Sequence, residues 1–209
     1  MSEMQLRQFD ILQPSALNIT IVGAGGIGSW TALSLAKMGY ENITVYDFDK
    51  VEEHNIGTQF YKTEDIGRDK VHALMENILG FTGTEICFVA DKATEPITAD
   101  VLILAVDNMK ARKEISEQAQ CQFMIDARMG GQIFNIFSVM PYEMERYKET
   151  LFADEDGVQE PCTAKAIAYN VFGIASFISN LVKRFDKGER MPFELNGDYI
   201  NLKLYNTKF

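Results

Sequence analysis

Paired cysteines are missing from this chain. Its three, Cys87, Cys121 and Cys162, are widely spaced, odd in number and never in a CxxC pair. That excludes a disulfide framework and a zinc site built on paired cysteines. Positive charge is also in short supply: 20 Lys and Arg stand against 30 Asp and Glu, a formal net charge of −10. A general attraction to nucleic acid or anionic lipid needs a net positive face, so neither is expected as a partner. A local basic cleft around a phosphate compound remains open. No repeat, low-complexity run or Pro/Gly linker divides the chain, and the N-terminal "MSEMQLRQFDILQPS" has no apolar core of the signal-peptide kind. The expectation is one domain over residues 1–209, reduced and cytoplasmic.

Long uninterrupted apolar runs are absent too. The nearest, "TAKAIAYNVFGIASFISNLVKRF", is broken by Asn170, Ser176, Ser179 and Asn180. Polar atoms in lipid need partners, so this reads as a core or interface helix and not as a membrane span. What the chain does have is 46% apolar and 24% charged residues, a globular composition.

Its order is rhythmic. "NITIVGAGGIGSWTALSLAKMGY" reads as a buried strand, a glycine turn and a helix with Ile27, Trp30, Leu33, Leu35 and Met38 at near-helical spacing. "NITVYDFD" is a strand ending in acid, "IGRDKVHALMENILGF" a helix, "EICFVAD" a strand, and "DVLILAVD" a strand apolar enough to be covered on both faces. "NMKARKEISEQAQ" is a charged surface helix and "QFMIDA" a fifth strand. After Gly130, "GGQIFNIFSVM" alternates with period two and follows a strand with no helix between. Residues 141–162 are polar and irregular, and "FELNGDYINLKLYN" reads as a hairpin turning at Asn196-Gly197. The fold expected is α/β, doubly wound and Rossmann-like: a mostly parallel sheet with antiparallel edge strands, a long C-terminal helix and a hairpin.

"GAGGIG", Gly23 to Gly28, fits GxGxxG between strand and helix. Such a turn lets the backbone approach a phosphate at a positive helix N-terminus, and Asp47 at the end of the second strand can accept from ribose hydroxyls. The same turn could serve helix–sheet packing alone. It points to a nucleotide without separating an NAD enzyme from an ATP enzyme.

The ordered pieces "LRQFDIL", "IVGAGGIGS", "VYDFDKVEEHNIGTQ", "IGRDKV", "AVDNMKAR" and "GGQI" resemble the MoeB/ThiF/HesA superfamily, bacterial relatives of ubiquitin-activating enzymes. The resemblance runs from about Arg7 to Arg184. It implies adenylation: a carboxylate at the C-terminus of a small ubiquitin-like or sulfur-carrier protein attacks the α-phosphate of ATP. It also implies ATP and Mg²⁺ as ligands and a homodimer; the paired-cysteine zinc ligands of many relatives are absent here, so no zinc is expected. By the same resemblance Gly23, Gly25, Gly26, Gly28, Ser29, Asp47, Asp49, Asn55, Gln59 and Lys70 bind the nucleotide, and Lys70 holds phosphate. Asp107 is a Mg²⁺ ligand, Arg112 matches a family arginine, and Arg7 reaches the neighbouring subunit's site. Cys162 matches a cysteine that takes acyl or sulfur cargo. Plainer readings stand beside these: a solvated Lys70, a turn role for Asp49, an N-cap at Asp107, a surface salt bridge at Arg112, an exposed Arg7 and a core Cys162. Cys87 and Cys121 read as sheet-core and helix-end residues, and His54 and His72 as solvated or capping.

One departure matters. The family carries Arg immediately before the Gln of "GTQ", and this chain has Thr58. Losing a planar cation from a triphosphate site could cost several kcal/mol of transition-state stabilisation. Either Arg7, Lys50, Arg68 or Arg128 substitutes, the nucleotide is held differently, or activation has been lost; Arg128 is the favoured substitute, with a strand-end salt bridge to Asp126 or a neighbour as its plain alternative. Three functions therefore compete: an adenylyltransferase, an NAD-dependent oxidoreductase, which gives no work to Asn55, Gln59, Lys70 or Asp107, and a nucleotide-binding partner without catalysis.

Overall fold

The computed structural model describes residue 8 and residues 10–152 and 166–206. Arg7 and Cys162 lie outside the described residues. Five strands rich in β-branched and apolar residues pair in parallel: β1 (Ile19–Val22), β2 (Ile43–Tyr46), β3 (Cys87–Val89), β4 (Thr98–Leu104) and β5 (Gln120–Gly130). Three more continue the sheet antiparallel: β6 (Ile133–Val139), β7 (Glu194–Asp198) and β8 (Lys203–Asn206). The spatial order β3-β2-β1-β4-β5-β6-β7-β8 turns back on itself between β1 and β4. In open α/β sheets a ligand crevice forms at such a reversal, outside the carboxyl ends of the strands.

The helices are α1 (Gly26–Met38), α2 (Lys70–Thr82), α3 (Met109–Gln118), α4 (Met144–Lys148) and α5 (Ala168–Asp186). Successive strand residues point to opposite faces, and the core divides accordingly. Val101 and Ile103 of β4 and Phe123, Ile125 and Ala127 of β5 pack with α1, α2 and α5. Leu102 and Leu104, with Met124, pack under Ile115 of α3 and Tyr147 of α4. The polar interruptions of the long helix are absorbed in part by the fold: the buried Ser179 hydroxyl donates to Ser34 Oγ on α1 at 2.8 Å.

Several expectations need correction. The hairpin does not turn at Asn196-Gly197, because those residues lie inside β7. A Cβ at Gly197 would sit 2.0 Å from the Phe134 ring, so that glycine is demanded by packing. The turn falls at 199–202, where the Asp198 carboxylate accepts the Ile200 and Asn201 N–H groups at 2.9 and 3.0 Å. Residues 141–148 are not irregular: a 3-10 turn at Pro141–Glu143 leads into α4, which the fully buried Tyr147 pins to the sheet. Cys87 is exposed on the edge strand β3 rather than in the sheet core, and Cys121 lies in β5 rather than at a helix end. Both acidic strands stop early, β2 at Tyr46 and β4 at Leu104, so Asp47 and Asp107 stand on the loops beyond them.

Candidate nucleotide site

The crevice between β1 and β4 is floored by the glycine turn. Gly23 has φ +101, and a Cβ there would lie 2.6 Å from the Ala105 carbonyl oxygen across the crevice. Gly26 is fitted against Val171 and Gly28 against the Gly23 carbonyl, so both serve packing. Gly25 is different. Its φ of −76 suits any residue, and a Cβ would meet nothing within 4 Å. Nothing in the fold asks for glycine here, whereas a ligand lying against bare backbone would. Gly25 is also the N-cap of α1 and no side chain caps that helix, so its first N–H groups are left for an anion.

Asp47 stands beside this turn. Its Oδ2 accepts the Ala24 N–H at 2.6 Å and its Oδ1 the Asp49 N–H at 2.8 Å. Burial raises its pKa above the ordinary carboxylate value, opposed by the Lys70 charge and these two backbone donors. Lys70 is only 7% exposed, at the first position of α2, with Nζ 2.9 Å from Asp49 Oδ2. The Lys70 N–H also donates to the Asp49 carbonyl at 2.9 Å. Asp49 therefore has a defined partner and makes no turn contact through its side chain among the described bonds.

The 55–61 loop is clamped to α1. The Ser29 hydroxyl, fully buried, accepts the Phe60 N–H at 3.0 Å, and Trp30 Nε1 donates to the Thr58 carbonyl at 2.9 Å. Tyr61 donates its hydroxyl proton to the Ala24 carbonyl at 2.7 Å. Burial first, then the charges of Asp47, Asp65 and Asp49, push the Tyr61 pKa up, so it stays a donor. Asn55 is buried and its amide oxygen accepts the Glu52 N–H at 2.9 Å, a turn-capping role. Gln59 Oε1 is one of three described buried side-chain atoms without a hydrogen-bond partner, the others being Ser138 Oγ and Asn170 Oδ1. Sequence reading missed Trp30 and Tyr61 as site supports. Their partners are backbone carbonyls, which leave no signature in the side-chain pattern.

On the opposite wall Asp107 is exposed, and its Oδ1 accepts from Asn108 Nδ2 at 3.0 Å. The N-cap of α3 is Asn108, not Asp107: Asn108 Oδ1 accepts the Ala111 N–H at 2.8 Å. Arg112 is not on the surface. It is 5% exposed and donates to the fully buried Asp126 and to the Val106 carbonyl.

Of the proposed stand-ins for the missing arginine, the three among the described residues, Arg128, Arg68 and Lys50, are engaged with carboxylates. Arg128 donates from Nε to Asp126 at 2.7 Å and from both terminal nitrogens to Thr150, with its plane 4.4 Å from the Phe137 ring. The strand-end salt bridge thus prevails for this residue. Arg68 holds Asp65 and Glu76 at 3.0 and 2.7 Å, and Lys50 holds Asp69 at 2.7 Å. His72 lies 3.2 Å from Asp69, and His54 3.4 Å from Glu52 on the surface.

The donor set can be tested against the expected ligands. Bare backbone at Gly25, an uncapped helix start and a buried lysine suit phosphates, and Asp47 suits a ribose. No group of three or more His, Cys, Asp or Glu able to hold a metal occurs among the described residues. One accessible carboxylate at Asp107 fits Mg²⁺ arriving on phosphate oxygens, which usually needs only one or two protein carboxylates.

Known proteins resemble this chain in sequence and in fold. A NEDD8-activating enzyme E1 catalytic subunit from Arabidopsis thaliana is 31% identical over 115 residues, covering 52% of this chain and 25% of that protein. Ubiquitin-like modifier-activating enzyme 5 from Drosophila grimshawi is 30% identical over 118 residues, covering 47% and 29% respectively. The chain thus spans between a quarter and a third of the length of these relatives. Among solved structures, E. coli MccB with AMPCPP and MccA matches with a TM-score of 0.68 at 15% identity, covering 92% of this chain and 63% of that one. PaaA matches with a TM-score of 0.67 at 20% identity, covering 91% and 63%. These likenesses establish a common fold. No helix among the described residues is long and apolar enough to cross a membrane. The ThiF family description matches residues 7–205, essentially the whole sheet and its helices, and the chain belongs to the ThiF family.

Proposed function

We propose that this chain is an ATP-dependent adenylyltransferase acting on the C-terminal carboxylate of a small ubiquitin-like or sulfur-carrier protein. A carboxylate oxygen attacks the α-phosphorus, the bond from that phosphorus to the bridging oxygen breaks, and pyrophosphate leaves. The product is an acyl-adenylate. The observation that carries this reading is the convergence on one rim of Gly25, the uncapped start of α1, buried Lys70 and accessible Asp107. Lys70 would neutralise charge on the phosphates, Asp47 would orient the ribose, and Gln59 would border the tail of the nucleotide. Asp107 would hold Mg²⁺, which supplies charge neutralisation at the reacting phosphorus. Relatives named as activating enzymes for ubiquitin-like modifiers, and MccB crystallised with MccA, support the class of partner. The reading extends to residues 1–209 acting as one domain in the cytoplasm, and to a homodimer in which Arg7 serves the neighbouring site.

Thr58 favours a second reading, a nucleotide-binding partner without catalysis, because Arg68 and Arg128 are both already held by carboxylates. Pyrophosphate exchange decides between them. With a carrier protein ending in a Gly-type tail, the parent should exchange label and Lys70→Ala should be slower by about 100- to 1,000-fold, the usual loss for one preorganised cation or donor. Equal rates would remove Lys70 from the mechanism. Calorimetric titration that finds tight NAD binding and no ATP binding would overturn the adenylation reading itself.

A further inference from the structure

We propose that Asp126, acting through Arg112, is a positioning residue that fixes the loop carrying Asp107. The inference rests on the reading of Asp107 given above. Asp126 is fully buried where β5 pairs beside Leu104, the last residue of β4, and it faces α3 and α4. It takes donors from three elements: Arg112 of α3, Arg128 Nε of its own strand at 2.7 Å, and the Tyr147 hydroxyl of α4 at 3.0 Å. The second terminal nitrogen of Arg112 donates to the carbonyl of Val106, the residue immediately before Asp107.

The short loop from β4 to α3 is thereby held at three places. The Ala105 N–H donates to the Val22 carbonyl at 2.8 Å, Arg112 grips the Val106 carbonyl, and Asn108 caps α3. A planar fork anchored on a fixed carboxylate can hold a carbonyl in a set direction from beneath. Stability alone does not account for the arrangement. Buried ion pairs usually contribute no more than well-packed apolar residues of the same volume, and here two guanidiniums share one carboxylate. What the cluster does supply is a fixed geometry for the residue between Val106 and Asn108.

Arg112→Met tests this without stranding a charge, since Asp126 keeps Arg128 and the Tyr147 hydroxyl. ATP is titrated calorimetrically into the parent, Arg112→Met and Asp107→Asn, once in EDTA and once with saturating Mg²⁺. In EDTA Arg112→Met should bind within about twofold of the parent. Magnesium should tighten binding to the parent at least tenfold and should do so for neither variant. Should Arg112→Met not fold, Arg112→Gln, which keeps a donor for Asp126 and gives up Val106, carries the same expectation. An Arg112 variant that responds to Mg²⁺ as the parent does, while Asp107→Asn does not, overturns the positioning role alone. A parent whose ATP affinity Mg²⁺ leaves unchanged overturns the reading of Asp107, and the positioning role with it.

Discussion

Cys121 and Cys87 have the same side chain and opposite surroundings. Burial pushes the Cys121 thiol up to about 11, while Cys87 is exposed on the edge strand. The thiolate is the reactive form, so at pH 8 only about one Cys121 in a thousand is poised to react. Peptide mapping after iodoacetamide treatment should show Cys87 modified at least tenfold faster, and equal rates would contradict the burial of Cys121. The residues that could be read directly from the sequence were those whose role depends on near neighbours. The glycines follow a strand, Asp47 comes directly after one and Lys70 opens a helix, so their placement follows from local pattern. Asn55 entered only through the resemblance, as a nucleotide-binding amide, and its oxygen caps its own turn. Tyr61 on Ala24 and Arg112 on Asp126 were not legible, because those contacts exist only once distant strands are in register.

At the scale of elements, short side-chain-to-backbone bonds decide where structure starts and stops. Asn108 caps α3, and removing it as Asn108→Ala should cost about 1 kcal/mol in urea unfolding, the usual value of a lost cap. A wild-type midpoint in that variant would show that the cap is idle. Gly197→Ala forces a methyl into the Phe134 ring and should destabilise by about 1–3 kcal/mol through overpacking. The β7–β8 turn depends on Asp198, whose carboxyl is held below the ordinary range chiefly by the Asn201 side chain, then by its backbone N–H. A lowered folded pKa means this support is complete above the ordinary carboxylate range, near pH 4, and is lost as pH falls through the lowered value. The protection factors of the Ile200 and Asn201 amides, rates corrected for intrinsic exchange, should therefore fall selectively in acid and show no such fall in Asp198→Asn. The Asn-Gly pair misled because hairpin chemistry and close packing both select glycine, and only the partner strand tells them apart.

The whole molecule is a charged object as well as a fold. With net charge −10 and Arg68, Arg112 and Arg128 all paired with carboxylates, the chain should not bind duplex DNA more tightly than about 10 µM at 0.15 M salt. Fluorescence anisotropy with a labelled duplex checks this, and tighter binding would point to a positive face. The parallel half of the sheet was legible from alternating strands and helices, and the change of rhythm after Gly130 announced the antiparallel half. The length of β5 and the helix at Met144–Lys148 were not, since Tyr147 and Asp126 must first meet. That antiparallel half ends on β8, where all four residues are exposed and no described strand covers the outer side. A sheet margin of this kind is a template that any extended chain can copy. Among the four residues of β8 Lys203 alone is charged, since Leu204, Tyr205 and Asn206 are not. A charge on such a margin opposes edge-to-edge pairing, so the Lys203 ammonium works against self-association far from the crevice.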